Sequence, residues 1–279
     1  MKLHVIHTGM FKLDGGAMFG VVPKSIWNKL NPADEYNLCT WAMRCLLIED
    51  GNKLILIDTG IGDKQSEKFF RHYHLHGNYS LLSSIKAKGF HPDDITDVFH
   101  THLHFDHCGG GVRYKDQERR KFEMVFKNAR YWTNLEHWEW AIHPNQREKA
   151  SFLKENLLPM QESNQLAYVE GKEFNAFDII YVNGHTDKQM LPLIKYKEKK
   201  IVFVADLLPS TAHIPLPYVM SYDTRPLLTL QEKDKFLRAA ADGEYVLFFE
   251  HDPFYECATV EHGEKGVQLK EVFSLNEIL

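Results

Sequence analysis

Cysteine is scarce in this chain. Four thiols in 279 residues, Cys39, Cys45, Cys108 and Cys257, lie far apart and form no CxxC pair. They read as free thiols of a reducing compartment, with Cys108 a small buried side chain by default. Long apolar runs are missing as well. No stretch of about 18 apolar residues is available to span a bilayer, and Met1-Lys2-Leu3-His4-Val5-Ile6-His7 holds no run of signal-peptide length. The expectation is a cytoplasmic protein with no membrane partner. Positive charge is not in excess either. A formal net charge of −5 gives no electrostatic reason to bind DNA, RNA or an anionic membrane. The Lys-rich stretch Lys195–Lys200 sits between two strand candidates and reads as a solvated hairpin turn. No repeat, low-complexity segment or Pro/Ser-rich linker divides the chain, so residues 1–279 are expected to form a single domain. Its 44% hydrophobic and 25% charged residues are ordinary for a globular protein with an ample core.

What the chain does have is histidine in a particular place. His102-Leu103-His104-Phe105-Asp106-His107 packs four potential metal ligands into six residues. Val98 and Phe99 end an apolar stretch just before it, and Cys108-Gly109-Gly110-Gly111 follows, read as a tight, flexible turn. Imidazole nitrogens and a carboxylate suit borderline cations such as zinc, and a strand end can aim several ligands at once. Alternation along extended backbone would point His102, His104 and Asp106 the same way.

Three later strand candidates end in the same manner. Ile179–Val182 leads through Asn183-Gly184 to His185, Ile201–Ala205 leads to Asp206, and Tyr245–Phe249 leads through Glu250 to His251. Singly, each has a bland account: a turn cap, a hydrogen bond within a Gly turn, a loop residue before Pro253. Together they are better explained by convergence, because strand ends on one edge of a sheet are neighbours in space. Further strands are expected at Leu3–His7, Met43–Ile48 and Leu54–Ile57, the last running into Asp58-Thr59-Gly60. Helices are expected around Lys64–Tyr73 and Leu81–Ala87. Capping boxes are read at Thr133–Glu136 and Thr229–Glu232, and a Gly-rich loop at residues 14–20. Alternating strands and helices favour an α/β layered architecture. A second spacing, His72-Tyr73-His74-Leu75-His76, lacks a preceding buried strand and a following glycine turn, so it reads as helix end and loop.

With these residues assembled, the chain resembles the metallo-β-lactamase superfamily, whose ligands follow HxHxDH, then His, Asp and His. The intervals here are 78 residues from His107 to His185, 21 to Asp206 and 45 to His251. Asp58-Thr59-Gly60 matches the family's early strand-end turn, so the resemblance covers nearly the whole chain. It implies an αββα sandwich, two mixed sheets flanked by helices. It also implies two divalent metal ions, expected to be zinc: His102, His104 and His185 on one, Asp106, His107 and His251 on the other, Asp206 bridging. Asp58 is expected to orient the ligand loop from behind.

Such a centre makes a serine or cysteine nucleophile unnecessary, and no convincing GxSxG elbow is present. The expected chemistry is hydroxide attack on an ester-like carbon, with Asp106 also passing a proton to the leaving alkoxide. Within the superfamily, the N-terminal loop and the 21- and 45-residue intervals are most similar to the N-acyl-homoserine lactonases and the related methyl parathion hydrolase-like enzymes. A small lactone or ester with an apolar tail is the implied substrate, opened by a quorum-quenching lactonase; an organophosphate triester or aryl ester is the alternative. One position departs from the lactonase pattern. The Tyr three residues after the bridging Asp is replaced by Pro209, and His213 or Tyr222 is expected to substitute for it. The apolar, proline-stiffened segment Ala212–Met220 is expected to wall the pocket. A homodimer is expected from the apolar N-terminal loop and the lactonase resemblance.

Overall fold

The computed structural model describes residues 1–116 and 118–279. The chain falls into two compact units, Met1–Gly9 with Met43–Gly171, and Met10–Ala42 with Lys172–Leu279. Two long strands, β1 (Lys2–Asp14) and β2 (Leu38–Asp50), contribute residues to both. Each is longer than its sequence pattern suggests. Trp41 to Ile48 are buried without interruption, so this part of β2 is covered on both faces and shows no alternation to mark its ends. The expected Gly-rich loop between them is instead a short helix, α1 (Gly15–Phe19), followed by α2 (Lys24–Trp27). Asp14 caps α1 by accepting from the Ala17 amide, and the turn buries Met18 and Phe19.

The first unit continues with β3 (Lys53–Ile57), α3 (Glu67–Phe70), α4 (Leu81–Ala87), β4 (Asp97–Phe99) and α5 (Phe105–Cys108). A small hairpin, β5 (Val112–Tyr114) with β6 (Phe122–Met124), precedes β7 (Arg130–Thr133), α6 (Leu135–Ile142), α7 (Lys154–Glu162) and β8 (Leu166–Tyr168). Its sheet has the order β1-β2-β3-β4-β7-β8, antiparallel at β2/β3 and parallel from β3 onward. Leu47, Leu56, Val98 and Tyr131 from the strands share one core with Ile85 of α4, Trp138 of α6 and Met160 of α7. The cap of α6 is Asn134 rather than Thr133: its side chain accepts from the His137 amide. His72, His74 and His76 lie exposed beyond α3, as a helix end and turn.

The second unit holds β9 (Glu173–Phe174), β10 (Phe177–Val182), β11 (Gln189–Tyr196), β12 (Lys199–Phe203), the long helix α8 (Pro226–Asp242), β13 (Val246–Phe248), β14 (Cys257–Gly263) and β15 (Gly266–Phe273). The sheet order is β15-β14-β13-β12-β11-β10-β9. The Lys-rich stretch is the β11–β12 hairpin, as its composition suggests. Helix α8 starts three residues before the expected box, because Pro226 supplies a preorganised first turn. Thr229 is therefore interior, and Glu232 is released for another partner. Two mixed sheets with helices make this an α/β protein. No helix among the described residues is long and apolar enough to cross a membrane.

The glycine run after the histidine cluster is compact, not flexible. Gly109–Gly111 form a buried 3-10 turn, and a Cβ on Gly109 would stand 2.2 Å from the Ile61 carbonyl oxygen. On Gly110 it would stand 2.1 Å from the Thr59 carbonyl oxygen. Gly110→Ala should destabilise the protein by at least about 1–3 kcal/mol, the usual cost of overpacking. Denaturant titration checks this; a midpoint equal to wild type would show that the turn can give way.

Candidate metal centre

In the first unit, β3 and β4 run parallel, so Asp58 and His100 leave the sheet side by side. Asp58 is fully buried with φ +57°, an unusual conformation for a non-glycine residue. Its carboxylate accepts from the Thr101 amide at 2.8 Å, the Thr101 hydroxyl at 2.6 Å and His107 Nδ1 at 3.1 Å. Burial alone would raise its pKa, but the imidazoles of His100, 3.8 Å away, and His107 pull it below the ordinary carboxylate value. These contacts tie Asp58 to the loop that carries His102 to His107.

Thr101 has one hydroxyl hydrogen and gives it to Asp58. Its oxygen therefore accepts from His102 Nδ1, 3.1 Å away, and His102 presents Nε2 as a lone pair when neutral. His104 Nε2 lies 3.3 Å from Glu148 Oε1, and Glu148 is itself held by Trp140 Nε1 and Asn145 Nδ2 at 2.8 and 2.7 Å. His104 accordingly presents Nδ1. The two presented nitrogens face each other at 3.1 Å.

This convergence does not arise from strand alternation. Residues 100–104 are irregular, and Asp106 and His107 sit on the one-turn helix α5. The loop is fixed piece by piece. The Leu103 amide donates to His137 Nε2, the Thr59 amide and hydroxyl donate to the His107 carbonyl, and the buried Lys64 ammonium donates to the Gly109 carbonyl. Cys108 donates to the Leu103 carbonyl, and burial pushes its thiol up to about 12, so it is a neutral packing group.

In the second unit, β10 and β11 are antiparallel, β11 and β12 antiparallel, and β12 and β13 parallel. Strands β10, β12 and β13 therefore point the same way, and His185, Asp206 and His251 leave one edge together. Asp206 Oδ2 lies 3.2 Å from His185 Nε2, and Asp206 Oδ1 lies 3.1 Å from His251 Nε2. Each imidazole is pinned at its other nitrogen: His185 Nδ1 donates to Asp223 Oδ1 at 2.8 Å, and His251 Nδ1 donates to the Ala42 carbonyl at 2.7 Å. Ala205, just before Asp206, is held at φ +41°, an observed strain that aims the carboxylate. The His185 turn is held by Glu232, whose carboxylate accepts from the Asn183 and Gly184 amides at 2.9–3.0 Å.

These contacts test whether the residues fit a metal. A carbonyl can only accept, so His251 carries its hydrogen on Nδ1, and neutral His251 turns a lone pair toward an Asp206 oxygen. His185 does the same on the other oxygen, and His102 and His104 turn lone pairs on each other. Lone pairs at such distances repel unless a cation lies between them. Two ligand atoms about 2.0–2.1 Å from a tetrahedral zinc stand roughly 3.3 Å apart, close to the separations here. The donor set fits a borderline divalent cation. Among the described residues are groups of buried His and carboxylate donors able to hold a metal ion, and all seven expected ligands belong to them.

A sequence model of the metallo-beta-lactamase superfamily matches residues 44–251. The chain belongs to that superfamily. An N-acyl homoserine lactonase of Bacillus thuringiensis is 24% identical over 268 residues, covering 90% of this chain and 93% of its own. Among solved structures, a probable metal-dependent hydrolase from Staphylococcus aureus superposes with a TM-score of 0.87 at 29% identity, covering 98% of this chain and 96% of its own. AidC, a dizinc quorum-quenching lactonase in complex with a product, gives a TM-score of 0.79 at 23% identity, covering 98% and 97%. The metallo-β-lactamase fold expected from the ligand pattern is thus the fold observed, and this superfamily member is a metal-dependent hydrolase.

Of the two groups expected to replace the missing lactonase Tyr, His213 is buried. Its Nδ1 lies 2.8 Å from Ser210 Oγ, its Nε2 donates to the Met18 carbonyl at 2.9 Å, and its ring stacks on Phe19 at 4.7 Å. Burial pushes its pKa down to about 3, so it is neutral at ordinary pH. Both nitrogens are committed to holding the 211–213 turn against α1. Tyr222 is partly exposed, with 40% of its surface open. Asp106 Oδ2 lies 3.9 Å from His107 Nε2.

Sequence reasoning missed Glu148 and Asp223, neither of which sits in a motif, and read Glu232 only as a capping-box residue. Asp223→Ala should weaken metal binding about 10–100-fold, the usual effect of removing a partner behind a ligating imidazole. Titration against a competing chelator measures it, and an unchanged affinity would remove Asp223 from the site.

Proposed function

We propose that the chain is a lactonase, opening a small lactone that carries an apolar tail, with N-acyl-homoserine lactones as the substrate class. The observation that carries this reading is Asp206, each of whose oxygens faces an imidazole locked into its metal-binding tautomer. That is the arrangement a bridging carboxylate needs. Likeness to N-acyl homoserine lactonases over 90% of the chain supports the choice of lactone among ester-like substrates.

In this reading His102, His104 and His185 would hold one zinc ion, Asp106, His107 and His251 would hold the other, and Asp206 would serve both. Such a pair, when bound, would supply Lewis acidity and a hydroxide at neutral pH. The protein's own residues do the rest. Asp58, Glu148, Asp223 and the Ala42 carbonyl fix which nitrogen of each imidazole carries the hydrogen and hold the rings aimed. Asp106 takes the proton carried in by the attacking hydroxide and hands it to the leaving alkoxide, so that ring opening yields a carboxylate and a free alcohol, with Asp106 again ionised. Tyr222 donates to the substrate carbonyl oxygen, since Pro209 cannot and His213 is committed elsewhere. His213 acts instead by fixing the Ala212–Met220 wall.

Turnover by metal-loaded protein should favour acyl-homoserine lactones, with dependence on chain length, over simple lactones, an aryl phosphotriester and a glutathione thioester. Preference for the phosphotriester would replace the lactone reading and leave the metal reading standing. Asp206→Asn should lose bound metal and turnover together; full activity in a metal-free variant would sink the scheme. Tyr222→Phe should lower kcat by about 10²-fold if its hydroxyl stabilises the oxyanion, with little change in metal content. An unaltered kcat would take Tyr222 out of the reaction.

A further inference from the structure

Within the second unit lies a half-open cavity of about 520 Å³, within the range of small-molecule sites. Its apolar lining, the floor, is made by Leu30, Ile214 and Leu237, with Val267 and Leu269 from β15. Its charged lining residues are Asp234, Arg238 and Lys265. Asp234 and Arg238 neutralise each other through paired contacts, both at 3.0 Å. Lys265 sits at the hairpin tip beside Glu264, which does not line the cavity, and has no acidic partner among the described residues, so the charged lining residues sum to one net positive charge.

That combination specifies a ligand chemistry. An apolar chain gains by leaving water along the floor, at about 25 cal/mol per Å² buried. A single anionic head at its end is drawn to the lysine, whereas a cationic head is repelled. A flat polar ligand would leave the floor unfilled.

We propose that this cavity binds a straight-chain carboxylate, apolar tail on the floor and carboxylate at Lys265. The site is separate from the metal ligands, and the proposal stands whatever the enzyme's substrate. Its inner wall is the Thr211–Pro217 segment, the same segment that His213 and Lys233 hold in place. The buried Lys233 ammonium donates to the carbonyls of Pro215, Leu216 and Tyr218 at 2.8, 3.2 and 2.8 Å. At its other end Thr211 donates to Asp252, the neighbour of His251, through both amide and hydroxyl at 2.8 and 2.7 Å. An occupant therefore rests on a wall that is already ordered, which lowers the entropic cost of binding.

Isothermal titration of metal-loaded protein with decanoate tests the assignment. Decanoate should bind, and Val267→Glu and Lys265→Glu should each weaken it at least tenfold, while turnover of an ester substrate without decanoate stays at the wild-type level. Decan-1-ol should bind more weakly than decanoate, and decyltrimethylammonium more weakly still. Wild-type decanoate affinity in both variants would place the ligand at the metals and overturn the proposal. So would equal binding of all three amphiphiles, which would show no recognition of the anion, or absence of decanoate binding to the wild type.

Discussion

The placement of one hydrogen on each histidine ring underlies the whole site. A neutral imidazole can coordinate a cation only through the nitrogen without hydrogen, and here an acceptor behind each of His102, His104, His185 and His251 decides which one that is. The consequence is a buried set of lone pairs facing one another and facing the Asp206 carboxylate. In a low-dielectric interior such an arrangement costs energy, and binding a cation turns the cost into attraction. The fold around the site is what keeps it from relaxing. The parallel strand ends, the pinned glycine turn and the strained backbone at Asp58 and Ala205 all resist movement of the ligands.

The candidate ligands were legible in the sequence because each follows a β-rich run. The chemistry of His, Asp and His at three further strand ends does not depend on long-range detail. Direction within the first cluster was not legible. Alternation assumes extended backbone, whereas Asp106 and His107 ride on a one-turn helix whose formation depends on the packing of Gly109–Gly111 against Thr59 and Ile61. The Thr229–Glu232 box failed for a related reason. Pro226 started the helix earlier, and Glu232 found its donors 48 and 49 residues away, in the His185 turn. Glu148 and Asp223 carry no local signature at all. Whether an acidic residue stands behind an imidazole is decided by tertiary folding.

Substrate was the least legible feature, and the structure shows why. The position where a lactonase tyrosine is expected holds Pro209, and His213, the nearest imidazole in sequence, is consumed by architecture. The 211–218 segment is held from several sides, by a stacked Phe19, by Ser210 and Met18, and by a buried lysine whose pKa burial brings down to about 7. None of these contacts can be read from spacing, because they join α1, the 211–218 segment and α8 across nearly the full length of the chain.

Helix α8 carries two of these duties on adjacent residues. Glu232 holds the turn that aims His185, and Lys233 holds the carbonyls of the proline-rich wall. Any roll or slide of this one helix would disturb metal geometry and cavity shape in the same stroke, so the two are not independently adjustable. Divergence of specificity in such a scaffold is channelled into side chains that decorate the wall, while the path of its backbone stays tethered to the catalytic machinery.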